Sequence, residues 1–282
     1  MLNYNVRILQ YPNGEVILRR YSEYLKKDDY NVFYEDGDML DDDYYLPDKS
    51  KDKIRNPFDN KIVREYENLE DIELRQKENE YRSFNRTKQK IYDYARCCNW
   101  EWFLTFTFDP KKIDRYNFEI CSKVIRKWLN NQKRNAPDLK YLVVLELHED
   151  GAIHFHGLFA DTGNIKFVDS GHKTKDGDII YNLSKWSYGF TTATKIKDVY
   201  RASKYITKYI TKELCSVSKG KQRYYVSKNI EQPKSYLYLV EDDKDLEDLQ
   251  EHLCGSFGVE LRYVSAPRHD GAYMNVDYYS FL

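Results

Sequence analysis

Apolar and polar positions change period several times along the chain. Residues 6–10 and 15–20 (VRILQ and EVILRR) are β-rich runs separated by Pro12-Asn13-Gly14, a turn signal, so a hairpin is expected at the start. Residues 28–60 are acidic and aromatic, with Pro47 and Pro57, and read as a loop or weakly ordered segment. Over residues 83–98, Phe84, Ile91, Ala95 and Cys98 recur at helical spacing, with Arg82, Arg86, Lys88 and Lys90 on the remaining surface. The run WFLTFTF (Trp102–Phe108) predicts a strand closed by Asp109-Pro110. Phe118, Cys121, Ile125 and Trp128 mark a helix bounded by Pro137. Residues 141–148 and 152–160 read as two strands around Glu149-Asp150-Gly151, and the polar, Gly/Lys-rich residues 161–187 as an excursion. Residues 190–197 alternate as a further strand, and Asp198 can cap a helix running to about Leu214. This order of elements predicts an α+β fold, a central antiparallel sheet packed on helices.

The pattern divides the chain into three parts. Residues 1–80 form an N-terminal hairpin plus an acidic, partly irregular segment. Residues 81–234 form the main domain, and residues 235–282 a C-terminal extension. There is no internal repeat and no G-x-x-x-x-G-K-[ST] loop, which argues against an attached ATPase motor.

Composition narrows the class. The 282 residues are 41% hydrophobic and 32% charged, with mean hydropathy −0.80, as expected of a soluble globular protein. No stretch approaches the ~18 consecutive apolar residues of a membrane span, and MLNYNVRILQYPNG lacks the apolar core of a signal peptide. Five cysteines without a C-x-x-C pair argue against a disulfide framework or a structural zinc site. A reducing cytoplasm is therefore the expected location. The net charge of −1 hides a segregation. Residues 28–80 carry about −10, whereas residues 81–140 and 195–234 each carry about +8. Two basic segments would attract phosphate if they share a face.

Candidate chemistry centres on Glu146-Leu-His148-Glu-Asp-Gly151-Ala-Ile-His154-Phe-His156. Histidines at i and i+2 on a strand point to one face, and imidazole is a good ligand for divalent metals. If Glu149-Asp150-Gly151 is a three-residue loop with Gly151 left-handed, His148 pairs with Ala152 and the register sets Glu146 opposite His154 and Val144 opposite His156. A two-residue Asp150-Gly151 turn would set Leu147 there and remove the carboxylate. Two imidazoles and one carboxylate, with positions left open, suit an ion that must also hold a phosphate oxygen. His148, nearer the turn, is a weaker ligand candidate. Two histidines on a strand are also what half-buried polar residues look like.

A second constellation is Lys204-Tyr205-Ile-Thr-Lys208-Tyr209-Ile-Thr-Lys212. At about 100° per residue, Tyr205, Lys208, Tyr209 and Lys212 fall within an arc of about 100°, beside an apolar stripe of Val199, Ala202, Ile206, Ile210 and Leu214. A phenol is a poor nucleophile at its usual pKa of ~10, but a nearby metal-bound phosphate and lysine cations can assist phenolate attack. An ordinary surface helix in a chain with 27 tyrosines would look similar.

Taken in order, WFLTFTF, HFHGL (154–158) and YITKYITK (205–212) resemble the three motifs of HUH endonucleases, the rolling-circle replication initiators of small phages and plasmids. Two tyrosines four apart resemble the two-tyrosine branch, and each is followed by a lysine three residues later, so the order of attack stays open. The segments 221–228 (KQRYYVSK) and Trp186-x-x-Gly189-Phe190 also look like those of phage-type initiators. The resemblance spans roughly residues 82–234 and implies an HUH fold, a variant of the RRM/ferredoxin-like sheet. It implies that Glu146, His154 and His156 hold Mg2+ or Mn2+, and that Tyr205 or Tyr209 attacks the scissile phosphate. The products would be a 5′-phosphotyrosine and a free 3′-OH, with Lys208 and Lys212 neutralising charge. The implied partner is single-stranded origin DNA, which can include a hairpin, contacted by Thr105, Thr107, Lys204, Arg223 and Lys228. Strand propensity alone also accounts for the two threonines. A separate helicase and a DNA polymerase would complete the reaction. The alternatives are a relaxase or transposase of the same chemistry, a non-catalytic DNA-binding regulator on this fold, or a metal-dependent hydrolase of small phosphoesters.

Overall fold

The computed structural model describes residues 3–26, 69–211, 214, 218, 221–265 and 276–282. The segment 28–60 and Lys212 lie outside them. In chain order the elements are β1 (Asn3–Gln10), β2 (Val16–Lys26), α1 (Leu69–Arg96), β3 (Trp102–Phe108), α2 (Phe118–Asn135), β4 (Lys140–Leu147) and β5 (Ile153–Ala160). There follow β6 (Phe167–Lys173), β7 (Ile179–Leu183), β8 (Gly189–Lys195), α3 (Val199–Ile206), β9 (Tyr224–Val226), β10 (Lys234–Tyr238), α4 (Asp243–Phe257), β11 (Leu261–Ser265) and β12 (Val276–Phe281). The protein is α+β, with antiparallel sheets packed on helices.

The chain divides into two compact units: the described residues among 1–37, 93–100 and 228–282, and those among 38–92 and 101–227. In the first, the five strands run β10-β1-β2-β12-β11. The N-terminal hairpin and the C-terminal strands, which local pattern leaves as separate parts, thus share one sheet: β1 pairs with β10 and β2 with β12. One face buries Val6, Ile8, Val16, Leu18 and Phe281 with Leu246 and Leu253 of α4. The other carries a buried ionic network. Tyr11 Oη and Arg19 both donate to Asp93 Oδ1, at 2.6 and 2.7 Å, and Arg96 Nε donates to Glu15 Oε2 at 2.7 Å.

The second unit is built on seven strands in the order β6-β7-β8-β3-β5-β4-β9. Strand alternation in WFLTFTF buries Leu104, Phe106 and Phe108 on one face. There α2 packs against them, with Trp128 edge-on to Phe106 at 5.0 Å between ring centroids. The side chain of Asn117 caps that helix by accepting from Ile120 N at 3.1 Å. Residues 161–187 are more than an excursion. They contain β6 and β7, which extend the sheet past β8, and Phe167 stacks on Trp102 at 4.0 Å. Helix α1 also begins earlier than the apolar spacing suggests, because residues 69–82 (LEDIELRQKENEYR) contain no glycine or proline and are rich in helix formers.

Candidate active site

The face of β3 opposite Phe106 carries Phe103, Thr105 and Thr107, and the register with β5 sets Thr105 beside His156 and Thr107 beside His154. The turn between β4 and β5 has the three-residue form. Gly151 sits at φ +81°, Gly151 N donates to His148 O at 2.8 Å, and His148 N donates to Ala152 O at 2.9 Å. Glu146 therefore lies opposite His154 and Val144 opposite His156, which the loop length predicts.

Glu146 and His156 form the tightest pair here, with Oε2 and Nε2 2.6 Å apart, while Thr105 Oγ1 lies 3.1 Å from Nδ1 of the same imidazole. When Nε2–H donates to the carboxylate, Nδ1 accepts from the threonine hydroxyl, so both ring nitrogens are engaged. The bond to His156 holds the Glu146 carboxyl below the usual range, against the opposing effect of burial. Burial pushes the His154 pKa down, reinforced by the neighbouring His148 and opposed by Glu146. A neutral imidazole is the form that binds a metal. The rings of His148 and His154 stack at 4.9 Å.

The tyrosines arrive from α3 and the turn after it. Asp198 caps α3 as expected, accepting from Arg201 N at 3.0 Å. The helix does not run to Leu214: it ends at Ile206, a 3-10 turn spans Thr207–Tyr209, and Ile210 is extended. The Thr207 hydroxyl donates back to Lys204 O at 2.7 Å, and the β-branched Ile206, Thr207, Ile210 and Thr211 disfavour a longer helix. The turn still delivers both phenol rings to the sheet. Tyr209 lies flat on His156, with centroids 3.6 Å apart and planes 5° apart, and Tyr205 meets it edge-on at 5.5 Å. Phe103 closes the cluster, 5.4 Å from the Tyr205 ring and 6.0 Å from that of His156. Burial first, then a hydrogen bond with Tyr205, push the Tyr209 phenol well above its ordinary pKa, and Glu146 adds to the effect. Lys208 is exposed, with Nζ 5.3 Å from the centre of the Tyr205 ring.

Glu146, His154, His156, Thr105, Thr107, Tyr205, Tyr209 and Lys208 thus gather around one sheet face. The three other residues expected at nucleic acid have separate surroundings. Arg223 is buried, and its guanidinium donates to Ser218 Oγ (2.9 Å), Ser83 Oγ (2.9 Å) and Thr87 Oγ1 (3.2 Å). Lys204 is exposed, with Nζ over the Tyr200 ring at 4.2 Å. Lys228 is exposed and belongs to the five-stranded unit. Phe103 and the Thr105–His156 bond escaped sequence reasoning, although alternation in WFLTFTF puts residues 103, 105 and 107 on one face. Among the described residues, no three His, Cys, Asp or Glu side chains are grouped closely enough to hold a metal as they stand. The donor set of Glu146, His154 and His156 nevertheless fits a divalent cation in chemistry and register, and Thr105 would orient one imidazole from behind.

Residues 101–214 match a family model described as replication-associated protein ORF2, a stretch running from β3 through both tyrosines. The match supports a role in initiating replication. No curated protein and no solved structure matches the chain at a significant level. Among the described residues, no helix is long and apolar enough to cross a membrane.

Proposed function

We propose that this chain starts replication by nicking single-stranded origin DNA through tyrosine attack, in the manner of the HUH endonucleases, and later rejoins the ends. The observation that carries this reading is the stacking of Tyr209 on His156 at 3.6 Å, with Tyr205 beside it and Glu146 bonded to the same imidazole. A phenol pair over an imidazole–carboxylate pair brings a nucleophile to the groups that can hold a cation. The replication-associated match of residues 101–214 supports the biological setting.

Glu146, His154 and His156 would hold Mg2+ or Mn2+, which supplies a positive charge that polarises the scissile phosphate. The chain's own residues do the rest. The phenol oxygen of Tyr205 or Tyr209 bonds to phosphorus as its proton leaves. The P–O3′ bond breaks, and its electron pair takes up a proton to give a free 3′-OH. The phosphate stays on the tyrosine as a 5′-phosphotyrosine, so the bond's energy is retained for rejoining. Attack of a 3′-OH on that phosphotyrosine reverses the step and seals DNA. A second tyrosine lets the protein cut the regenerated origin while the first remains linked. Lys208, beside the Tyr205 ring, favours the anionic oxygen electrostatically. Lys212 falls in the same stretch. A polymerase extending the 3′-OH and a separate helicase are the partners this chemistry requires.

The test is a covalent-adduct assay with labelled single-stranded oligonucleotides, including the origin of the replicon that encodes the chain, in Mn2+. A labelled band at the mass of protein plus DNA, lost in the Tyr205→Phe/Tyr209→Phe double variant and in His154→Ala, is the expected result. Cleavage at full rate in chelator, or an adduct that survives the double variant, overturns the reading.

A further inference from the structure

The segment Trp186-x-x-Gly189-Phe190 takes no part in the chemistry above, yet it is held firmly. Trp186 is buried edge-on against Phe106 at 5.0 Å, and its Nε1 donates to Thr107 O at 3.4 Å. A Cβ at residue 189 would stand 2.2 Å from Thr107 O and 2.6 Å from Asp109 N, so only glycine lets β8 start this close to β3. Tyr188 O accepts from Asp109 N at 2.9 Å, tying the two strand ends together. The next residue, Phe190, is 53% exposed. A rigid backbone thus presents a large ring to solvent.

The ring's place relates it to the candidate site. Thr107 pairs with His154 on one side and with Phe190 on the other, and His154 pairs with Glu146. Glu146, His154, Thr107 and Phe190 therefore form one row across four adjacent strands. At about 4.8 Å per strand, Phe190 stands roughly 10 Å from His154. That is the reach of one or two nucleotides from a phosphate held at the histidines. The positions that β3, β7 and β8 turn to this face include Thr107, Thr192, Thr194 and Asn182, none of them acidic. Lys112, beside the start of β8, donates to Ser187 O at 3.2 Å and pairs with Asp109 at 3.8 Å. An exposed ring among hydroxyls suits an unpaired base better than an apolar protein surface.

We propose that Phe190 is a stacking platform for a base of single-stranded DNA close to the scissile phosphate. The proposal rests on the nicking reading and names the part of the substrate that this side of the sheet holds. Stacking on an aromatic ring tolerates any base, so it fixes the strand's path and leaves sequence choice to other contacts.

The test measures binding of a fluorescent single-stranded thymidine oligomer, and of the same oligomer annealed to its complement, at fixed salt in chelator so that nothing is cut. Phe190→Ala is expected to weaken single-strand binding about 5- to 100-fold and Phe190→Trp to restore it. Duplex binding, whose bases are already stacked, should change little. Thermal melting checks that Phe190→Ala folds, as an exposed position predicts. Single-strand affinity equal to that of wild type overturns the proposal. So does an equal loss for single strand and duplex, or a change in sedimentation showing that the ring mediates self-association. Wild-type adduct formation in Mn2+ reads the nicking reaction separately. An adduct with unchanged Phe190→Ala affinity fails this inference alone, whereas neither adduct nor binding by wild type fails both.

Discussion

Each unit sets a tyrosine beside a carboxylate, and the two pairs serve different ends. In the five-stranded unit Tyr11 is buried, its hydroxyl donates to Asp93 at 2.6 Å, and Asp93 also accepts from Arg19. Arg96 and Glu15 form a second pair, with side chains only 5% and 2% exposed. In the seven-stranded unit Tyr209 lies over the Glu146–His156 pair, but Tyr205 is 47% exposed and the Glu146 side chain 26%. Burial leads in raising both phenols, Tyr11 and Tyr209. The difference is who completes the network. Around Asp93 and Glu15 the partners come from the protein, a closed arrangement that holds the fold. Around Glu146 the groups converge from three strands and a turn and stay open on one side, where a substrate can complete them.

The largest effect should separate chemistry from folding. Replacing both Tyr205 and Tyr209 by Phe removes the proposed nucleophiles and is expected to lower adduct formation by about 10^4-fold or more. Stability should change by less than about 1.5 kcal/mol, since only one hydrogen bond between partly exposed rings is lost. Adduct yield and urea unfolding on the same preparation check this. A large stability loss would mean that the cluster is structural.

Next comes the mirror-image change. Glu15→Ala removes the carboxylate that faces the Arg96 guanidinium in the interior and should destabilise the five-stranded unit by about 3–5 kcal/mol, seen as faster amide exchange in β1 and β2. Glu146→Ala, at a carboxylate with one side open to solvent, should cost only about 1–3 kcal/mol, from the buried His156 ring losing its partner, yet abolish the adduct. Equal stability losses from the two substitutions would erase the contrast.

Much of the site was legible because its geometry follows local rules. One loop length set Glu146 opposite His154, and a period of two put both histidines on one face. The end of α3 was not legible that way. Apolar spacing continues past Ile206, whereas the Thr207 hydroxyl bond to Lys204 O that accompanies the switch to a 3-10 turn is invisible to periodicity. The edge hairpin β6–β7 gives little local signal because β6 and the flanking residues are polar, β7 is only five residues long, and the anchor, Phe167 on Trp102, joins residues distant in sequence. The five-stranded sheet depends on pairings such as Val6 with Tyr238, which no local window contains. Arg223 is expected at DNA from the resemblance of its segment to phage-type initiators, and only the fold reveals that serine and threonine hydroxyls take its donors.

A smaller effect tests the closed network by pH. Burial and the Asp93 charge raise the Tyr11 phenol above its ordinary value near 10. Above that pH the unfolded chain releases the proton while the folded one keeps it. The stability tied to Tyr11 is therefore complete below about pH 10 and is lost as pH rises further, by up to about 1.4 kcal/mol per pH unit. Tyr11→Phe should flatten this alkaline limb in urea titrations at pH 9 to 11. An unchanged slope would place the loss elsewhere.

The smallest effect reads both units at once through their thiols. Burial, then the Asp114 charge, push Cys121 in the seven-stranded unit up to about 12, and burial likewise raises Cys97 in the five-stranded unit. Cys121 Sγ donates to Asp114 O at 3.5 Å and Cys97 Sγ to Asp93 O at 3.0 Å. The half-buried Cys98 and Cys254 are the reactive controls. Since the thiolate is the nucleophile, iodoacetamide at pH 8 should modify Cys98 and Cys254 well before the buried pair, as peptide mass spectrometry would show. Modification of Cys97 or Cys121 then requires its own unit to open. If single-stranded DNA binds across the site face of the seven-stranded sheet, as proposed, it stabilises that unit, so it should slow labelling of Cys121 and leave Cys97 unchanged. Slowing of both thiols together would show that the two units open as one, and that the closed network shares the stabilisation of the open one.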